Sequence, residues 1–243
     1  MKKTKLSKTF DFVKSLLYPT KCVNCKARIM PDVYLPLCPE CLKEWENEKN
    51  ALCPTCGQEI ISCWCGIDDD KDRIIDKEIH LVAYYKSRFT VGKNLILRCK
   101  YKFDEVCLDF VATELSKRVF EITKDNTVLC YVPRSRVNLL KTGLDQSYEI
   151  CKRLSKITGL EFCMCLVNKG NTEQKRLTFK QRERNAVRNF SFDKNKRESV
   201  KGKNVILFDD LVTSGATVTR CAILLKRNYA KSVCVLSIGK TAR

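Results

Sequence analysis

Asp209 and Asp210 are adjacent carboxylates that follow the apolar run Val205-Ile206-Leu207-Phe208 and precede Leu211-Val212-Thr213-Ser214-Gly215-Ala216-Thr217. Four such apolar residues predict a buried parallel strand, and ligands collect where strands of an open α/β sheet end. The small residues Thr213 to Thr217 then open a segment with Val218, Cys221, Leu224 and Leu225 at helical spacing on one face. A helix N-terminus entered through such a loop offers unpaired N–H groups and a positive dipole end, which together hold a phosphate. The hydroxyls of Thr213, Ser214 and Thr217 add donors. An acid pair beside a phosphate cradle suits a sugar phosphate, with the acids for ribose hydroxyls or Mg²⁺ and the loop for a 5′-phosphate. A chance Asp-Asp in an ordinary strand-turn-helix is the plainer alternative, and the whole arrangement outweighs it. An ATPase strand of Walker-B type is excluded. Gly92-Lys93, Gly202-Lys203 and Gly239-Lys240 each lack the glycine five positions earlier that a P-loop requires.

The second chemistry is thiolate chemistry. Eight of the 16 cysteines fall between Cys22 and Cys65, paired as Cys22/Cys25, Cys38/Cys41, Cys53/Cys56 and Cys63/Cys65. A C-x2-C turn presents two thiolates to one metal, so two turns complete a tetrahedral zinc site. The simplest assignment is one site from Cys22, Cys25, Cys38 and Cys41, and another from Cys53, Cys56, Cys63 and Cys65. The Cys63-Trp64-Cys65 spacing is tighter than the rest. Asn24 and Gly57 are expected to take left-handed conformations in the turns, and Pro39 and Pro54 to fix φ. Disulfides are the alternative. Without a secretory signal the pattern favours metal. Zinc would supply folding free energy on the order of 10 kcal/mol per site, and four thiolates leave no open position, so the expected role is structural. The other eight cysteines read as small buried apolar residues, Cys107, Cys151 and Cys221 on helices and Cys130 and Cys234 on strands. Cys163-Met164-Cys165 does not read as a redox motif.

The 243 residues have room for one ordinary domain and a small one. A hydrophobic fraction of 44% is globular, and a net charge of +18, from 46 Lys+Arg against 28 Asp+Glu, would attract polyanions. A merely solvated basic surface is the competing explanation. Residues 1–20 carry lysines with Phe10, Phe12, Val13, Leu16 and Leu17, interrupted by Asp11 and Lys14. This segment reads as a short basic amphipathic helix rather than a signal peptide or a membrane span. Residues 21–66 are the cysteine block, and 67–78, with Asp68, Asp69, Asp70 and Asp72, a polar linker. Residues 79–243 alternate strands and helices.

The expected elements of that last unit are strand 79–85, helix 104–120 with Leu108, Val111, Leu115 and Val119 inward, and strand 127–132. Helix 145–158 follows, with Tyr148, Cys151 and Leu154 inward, then strand 161–167, strand 204–208, helix 216–229 and strand 232–238. The alternation predicts right-handed βαβ crossovers and a mostly parallel sheet covered on both faces. The ligand edge then collects the loops at Pro133, at Asp209 and between residues 168 and 189. Pro133-Arg134-Ser135-Arg136 follows a strand, and Arg134, then Arg136, is the candidate for a bidentate anion contact. Residues 168–188 carry Lys169, Lys175, Arg176, Lys180, Arg182, Arg184 and Arg188 against two acids. A mobile hood, a groove for single-stranded nucleic acid with Phe179 as a stacking face, and a plain surface segment all fit this pattern.

The stretch Val205–Thr217 resembles the PRPP-binding signature of type I phosphoribosyltransferases. That resemblance implies Asp209 and Asp210 on the ribose hydroxyls, Thr213, Ser214, Gly215, Ala216 and Thr217 on the 5′-phosphate, Mg²⁺ bound with PRPP, and Pro133, Arg134 and Ser135 at pyrophosphate. Asp209, Asp210 and Arg134 would carry catalysis by positioning and electrostatics. Some purine-salvage members have an aspartate where Thr213 stands, so a hypoxanthine or guanine acceptor is not implied. A double zinc ribbon preceding such a domain resembles the ComF family of bacterial competence proteins. Leu17-Tyr18-Pro19, Leu97-Arg98-Cys99-Lys100-Tyr101-Lys102, Gly143-Leu144-Asp145-Gln146, Gln174-Lys175-Arg176-Leu177-Thr178 and Arg182-Glu183-Arg184-Asn185 support it. The family usually has Phe-Asn before that Gln, so Leu144-Asp145 departs from it. The resemblance implies handling of single-stranded DNA in the cytoplasm during natural transformation, beside other competence proteins at the inner membrane, or else transfer of ribose 5-phosphate to an unidentified acceptor. A transcription regulator on the same fold ranks last, because no helix-turn-helix pattern is visible.

Overall fold

The computed structural model describes residues 20–30, 33–52, 57, 59, 74–84, 90–102, 104–170 and 187–241. The expected N-terminal amphipathic helix lies outside them. The described order is α1 (Pro39–Lys49), β1 (Lys77–Tyr84), α2 (Val91–Tyr101), α3 (Glu105–Ile122), β2 (Thr127–Tyr131), α4 (Arg136–Thr142), α5 (Gln146–Thr158) and β3 (Glu161–Phe162). Then come β4 (Leu166–Asn168), β5 (Phe190–Phe192), a 3₁₀ turn (Lys194–Ser199), β6 (Asn204–Val212), α6 (Ala216–Arg227) and β7 (Ser232–Thr241). Five strands form one all-parallel sheet in the order β1-β7-β6-β2-β3.

Both faces of this sheet are buried, which is why β6 reads as an unbroken apolar run. Alternate residues go to opposite layers. Ile206 and Phe208 pack with Leu95, Leu108, Val111, Leu115, Ile150 and Leu154 of α2, α3 and α5. Val205 and Leu207 pack on the other side with Val218, Cys221 and Leu225 of α6. The expected inward faces of α3 and α6 are buried as anticipated. On α5 Cys151 and Leu154 are buried, whereas Tyr148 is only half-buried and Ile150 takes its place.

Three expectations are corrected. The single strand 161–167 is two elements. β3 joins the main sheet beside β2, and β4 pairs antiparallel with β5 in a separate two-stranded sheet. The strand ending at Phe208 runs on to Val212, because β7 keeps pairing with it as far as Val212–Lys240. Asn24 is not left-handed: Lys26 is, at φ 67. Helices α2 and α4 were not anticipated.

The cysteine block is not a loose appendage. Trp45 of α1 is fully buried, and its Nε1 donates to Glu114 of α3 at 3.0 Å. Glu48 of α1 accepts from the Val91 and Gly92 amides at 2.7 and 2.8 Å, filling the N-terminus of α2 with a carboxylate. This approach requires glycine at 92, where a Cβ would lie 2.7 Å from Val82 Cγ2 and 3.1 Å from Glu48 Oε2. Gly92→Ala should therefore lose about 1–3 kcal/mol of stability despite its better helix propensity. Thermal unfolding of Gly92→Ala and Gly92→Ala/Val82→Ala checks this, and the second variant should recover part of the loss.

Candidate functional site

β2 pairs with β6 only as far as Tyr131–Phe208. The last four residues of β6 therefore keep a neighbour on the β7 side and project past the end of β2, where the chain turns away through Val132. Asp209 and Asp210 sit in this projecting stretch and, as strand neighbours, face opposite layers. Asp210 is buried among α2 and α5. Its Oδ2 accepts from Lys100 Nζ at 3.0 Å and from Gln146 Nε2 at 2.6 Å. Burial favours its neutral form, but Lys100 and Gln146 outweigh that and hold the carboxyl below its ordinary range. Asp209 faces the α6 side, half-buried, and its Oδ1 accepts from the Asp210 amide at 2.9 Å. Burial and the adjacent Asp210 charge push its carboxyl well above the ordinary range.

Opposite the acids, Gly215 caps α6 at φ 78, a left-handed conformation that glycine adopts without strain. No side chain caps this helix. Its first N–H groups and positive end thus face the cleft that Asp209 and Asp210 enter. That cleft, of about 580 Å³, is lined by Pro133, Arg134, Ser135, Asp209, Asp210, Thr213, Ser214, Gly215 and Thr217. All the candidate residues for a sugar phosphate are thereby in one place except Ala216, the first residue of α6. Arg136 is exposed and does not line it.

Arg134 is held by its surroundings. Its Nη1 donates to Thr142 Oγ1 at 2.8 Å and to the Leu144 carbonyl at 3.0 Å, and its amide donates to Asp145 Oδ2 at 3.0 Å. Among the described residues, two of its five guanidinium donors have partners. Asp145 serves two structures at once, because its Oδ1 also caps α5 through the Ser147 and Tyr148 amides. Both duties need an acceptor, which explains why a carboxylate works where the resembled family usually has Asn. The basic segment connects β4 to β5, and its ends close at the cleft. Lys169 N donates to Asn189 O at 2.8 Å, Asn168 Nδ2 donates to Pro133 O at 3.0 Å, and Asn168 and Asn189 both line the cavity. Lys175, Arg176, Phe179, Lys180, Arg182 and Arg184 lie outside the described residues.

The first cysteine quartet assembles. The sulfurs of Cys22, Cys25, Cys38 and Cys41 all lie within 4.8 Å of one another, an arrangement compatible with a zinc ribbon. Asn24 Nδ2 donates to Cys41 Sγ at 3.3 Å, as outer-shell donors do around bound thiolates. Burial resists ionisation of Cys22, but amides of Cys38, Cys25 and Asn24 outweigh it and bring the thiol to about 7. The donor set fits zinc. Lys21 and Arg28 form an isolated antiparallel bridge around Cys22 and Cys25, and Leu52 and Glu59 form another. Gly57 (φ 69) repeats the left-handed turn of Lys26. Cys53, Cys56, Cys63 and Cys65 themselves lie outside the described residues.

The family model described as the phosphoribosyl transferase domain matches residues 145–241. The competence protein ComFC of Bacillus subtilis (strain 168) is 25% identical over 205 residues, which cover 81% of each chain. The chain thus resembles ComF-family proteins and carries a match to the phosphoribosyltransferase domain over residues 145–241. Among solved structures, it is similar to the allosteric regulatory enzyme of purine biosynthesis (TM-score 0.41, 18% identity). It is also similar to the glutamine PRPP amidotransferase of B. subtilis (TM-score 0.39, 17% identity). Each comparison spans 59% of this chain and 30% of the larger enzyme.

Sequence reasoning missed Lys100, Gln146 and Asn168 as members of the site. Lys100 and Gln146 fell in stretches that carried the ComF resemblance, the one signal that marked them. Their proximity to Asp210 is a property of packing. The raised Asp209 carboxyl has a measurable consequence. An acid with an elevated folded pKa adds stability below its unfolded value, near 3.9, and loses it as pH rises toward the folded value. Asp209→Asn should consequently melt higher than wild type at pH 7, at about 2–4 °C per kcal/mol gained, and the gap should close below about pH 4. Calorimetric melts between pH 3 and 8 check this.

Proposed function

We propose that the cleft binds Mg²⁺-PRPP, with Asp209 and Asp210 toward the ribose hydroxyls, Thr213 to Thr217 on the 5′-phosphate, and Pro133, Arg134 and Ser135 at pyrophosphate. One observation carries this reading: an acid pair on the projecting end of β6 shares a cavity with the uncapped N-terminus of α6. Magnesium would add positive charge against the pyrophosphate. A nucleophile displaces pyrophosphate from C1 through an oxocarbenium-like state. The carboxylates hold the ribose as positive charge develops there, and the Arg134 guanidinium meets the departing anion. Lys100, bonded to Asp210, adds positive charge to the same cavity. Domain boundaries belong to the proposal too: an amphipathic segment over 1–20, a double zinc ribbon over 21–66, a linker over 67–78 and the transferase-like unit over 79–243, with β1 starting at Lys77.

Titration of Mg²⁺-PRPP into the zinc-loaded protein tests the site, beside Asp209→Asn as a folded control. Micromolar binding, weakened at least tenfold in Asp209→Asn, is expected, a change of about 1.4 kcal/mol or more. No binding by wild type sinks the reading. Pyrophosphate release in the presence of candidate acceptors then separates turnover from binding alone.

A second reading concerns single-stranded DNA, and it is favoured by the charge of +18 and by likeness to a protein named for competence. Here the zinc ribbons and the basic 168–188 segment contact the strand, and PRPP regulates. The setting would be the cytoplasm, beside competence proteins of the inner membrane. Among the described residues no helix is long and apolar enough to cross a membrane. Affinity for an unstructured oligonucleotide should fall with salt at a log–log slope of about −0.7 per phosphate neutralised. A flat response, or no binding at low salt, counts against it.

A further inference from the structure

Cys130, Cys163 and Cys165 meet inside the transferase-like unit, away from the zinc knuckles. Their sulfurs all lie within 4.8 Å of one another, with Cys130 and Cys165 at 3.6 Å. The sheet brings them together. β3 pairs with β2 at Leu129–Phe162, and Cys163 N donates to Leu129 O at 2.8 Å. Cys163 therefore comes next in register, beside Cys130. Extended chain returns to the same face every second residue, so Cys165 joins Cys163 while Met164, 51% exposed, points away. The three thiols retain 0%, 4% and 0% exposure, packed among Val128, Leu207, Phe190 and Val200.

Apolar packing explains their burial, and it was the expectation from sequence. It does not require three sulfurs around one point. Sulfurs bound to one zinc at about 2.3 Å stand roughly 3.8 Å apart at tetrahedral angles. The observed 3.6 Å pair and the 4.8 Å limit bracket that spacing. The 3₁₀ turn Lys194–Ser199 leads into Val200, which packs with the three cysteines, and Lys196 on that turn acts on Cys163 with positive charge. Three thiolates around a divalent ion leave one net negative charge, which Lys196 offsets.

We infer that Cys130, Cys163 and Cys165 form a further site for a thiophilic divalent cation, zinc in the resident protein, with a water or hydroxide oxygen completing its coordination. The role is structural. Cys130 lies three residues before Pro133 and Cys165 three before Asn168, whose side chain bonds the Pro133 carbonyl. A metal bridging these strands pins two walls of the cleft to each other. The inference stands whether or not the cleft takes PRPP.

The experiment uses the full-length reduced protein exchanged into excess ¹¹³Cd²⁺ and examined by cadmium NMR, in which S₃O and S₄ coordination give separate resonances. Wild type should show an S₃O resonance besides those of S₄ sites, and Cys163→Ala should lose it alone. Only S₄ resonances in the loaded wild type, which requires no variant to fold, overturn the inference. An S₃O resonance that survives Cys163→Ala belongs to other ligands and overturns it equally. As-purified zinc should fall by one equivalent per chain in Cys165→Ala, and an unchanged content excludes zinc as the resident ion.

Discussion

The carboxylate of Asp210 is the constraint around which the cleft is organised. A charge 7% exposed must be matched by opposite charge and hydrogen bonds, or it gives up its ionisation. Lys100 from α2 and Gln146 from α5 meet it from two helices that share no sequence neighbourhood with β6. Satisfying one acid thus fixes where α2 and α5 end against the sheet edge. Asp209 accepts from the Asp210 amide and feels Lys100, but burial and the neighbouring negative charge outweigh both and make it a high-energy carboxyl. One acid of the pair is thus satisfied by the protein's own groups, and the other much less so.

A similar economy governs the loop at Pro133. Asp145 caps α5 with one oxygen and holds the Arg134 amide with the other, while Thr142 and the Leu144 carbonyl fix the guanidinium. The arginine side chain is thus held in one arrangement by the protein's own groups. The cysteine block joins the same construction. Trp45 and Lys49 of α1 both bond Glu114, and Glu48 closes the N-terminus of α2, the helix that carries Lys100. The Cys22–Cys41 quartet is therefore connected through α1 to the helix that reaches the cleft.

Much of the fold was legible because parallel strands buried on both faces and helices buried on one have different periods. Val205 to Phe208, the α6 stripe and the α3 stripe each announced their element without help. The failures have physical reasons. Cys163 to Val167 looked like one strand because alternation persists across it, yet after Phe162 its partner β2 is turning into the Pro133 loop, and the chain pairs with β5 instead. Helix α2 was overlooked because Gly92 sits in its first turn. Glycine disfavours helix in isolation, and only the close approach of α1 and β1 makes it the residue that fits.

By itself the sequence determined the chemistry available: two adjacent acids, a small-residue helix start, an arginine loop and paired cysteines. These were readable because each is local, built from residues within a few positions of one another. Tertiary structure decided how those groups behave. It assigned Asp209 and Asp210 to opposite layers and so gave them opposite charge tendencies. It also brought Lys100 to Asp210 across more than a hundred residues, and Cys130 to Cys165 across a strand pairing. Burial and long-range contact set electrostatics, and neither is written in the spacing of neighbours along the chain.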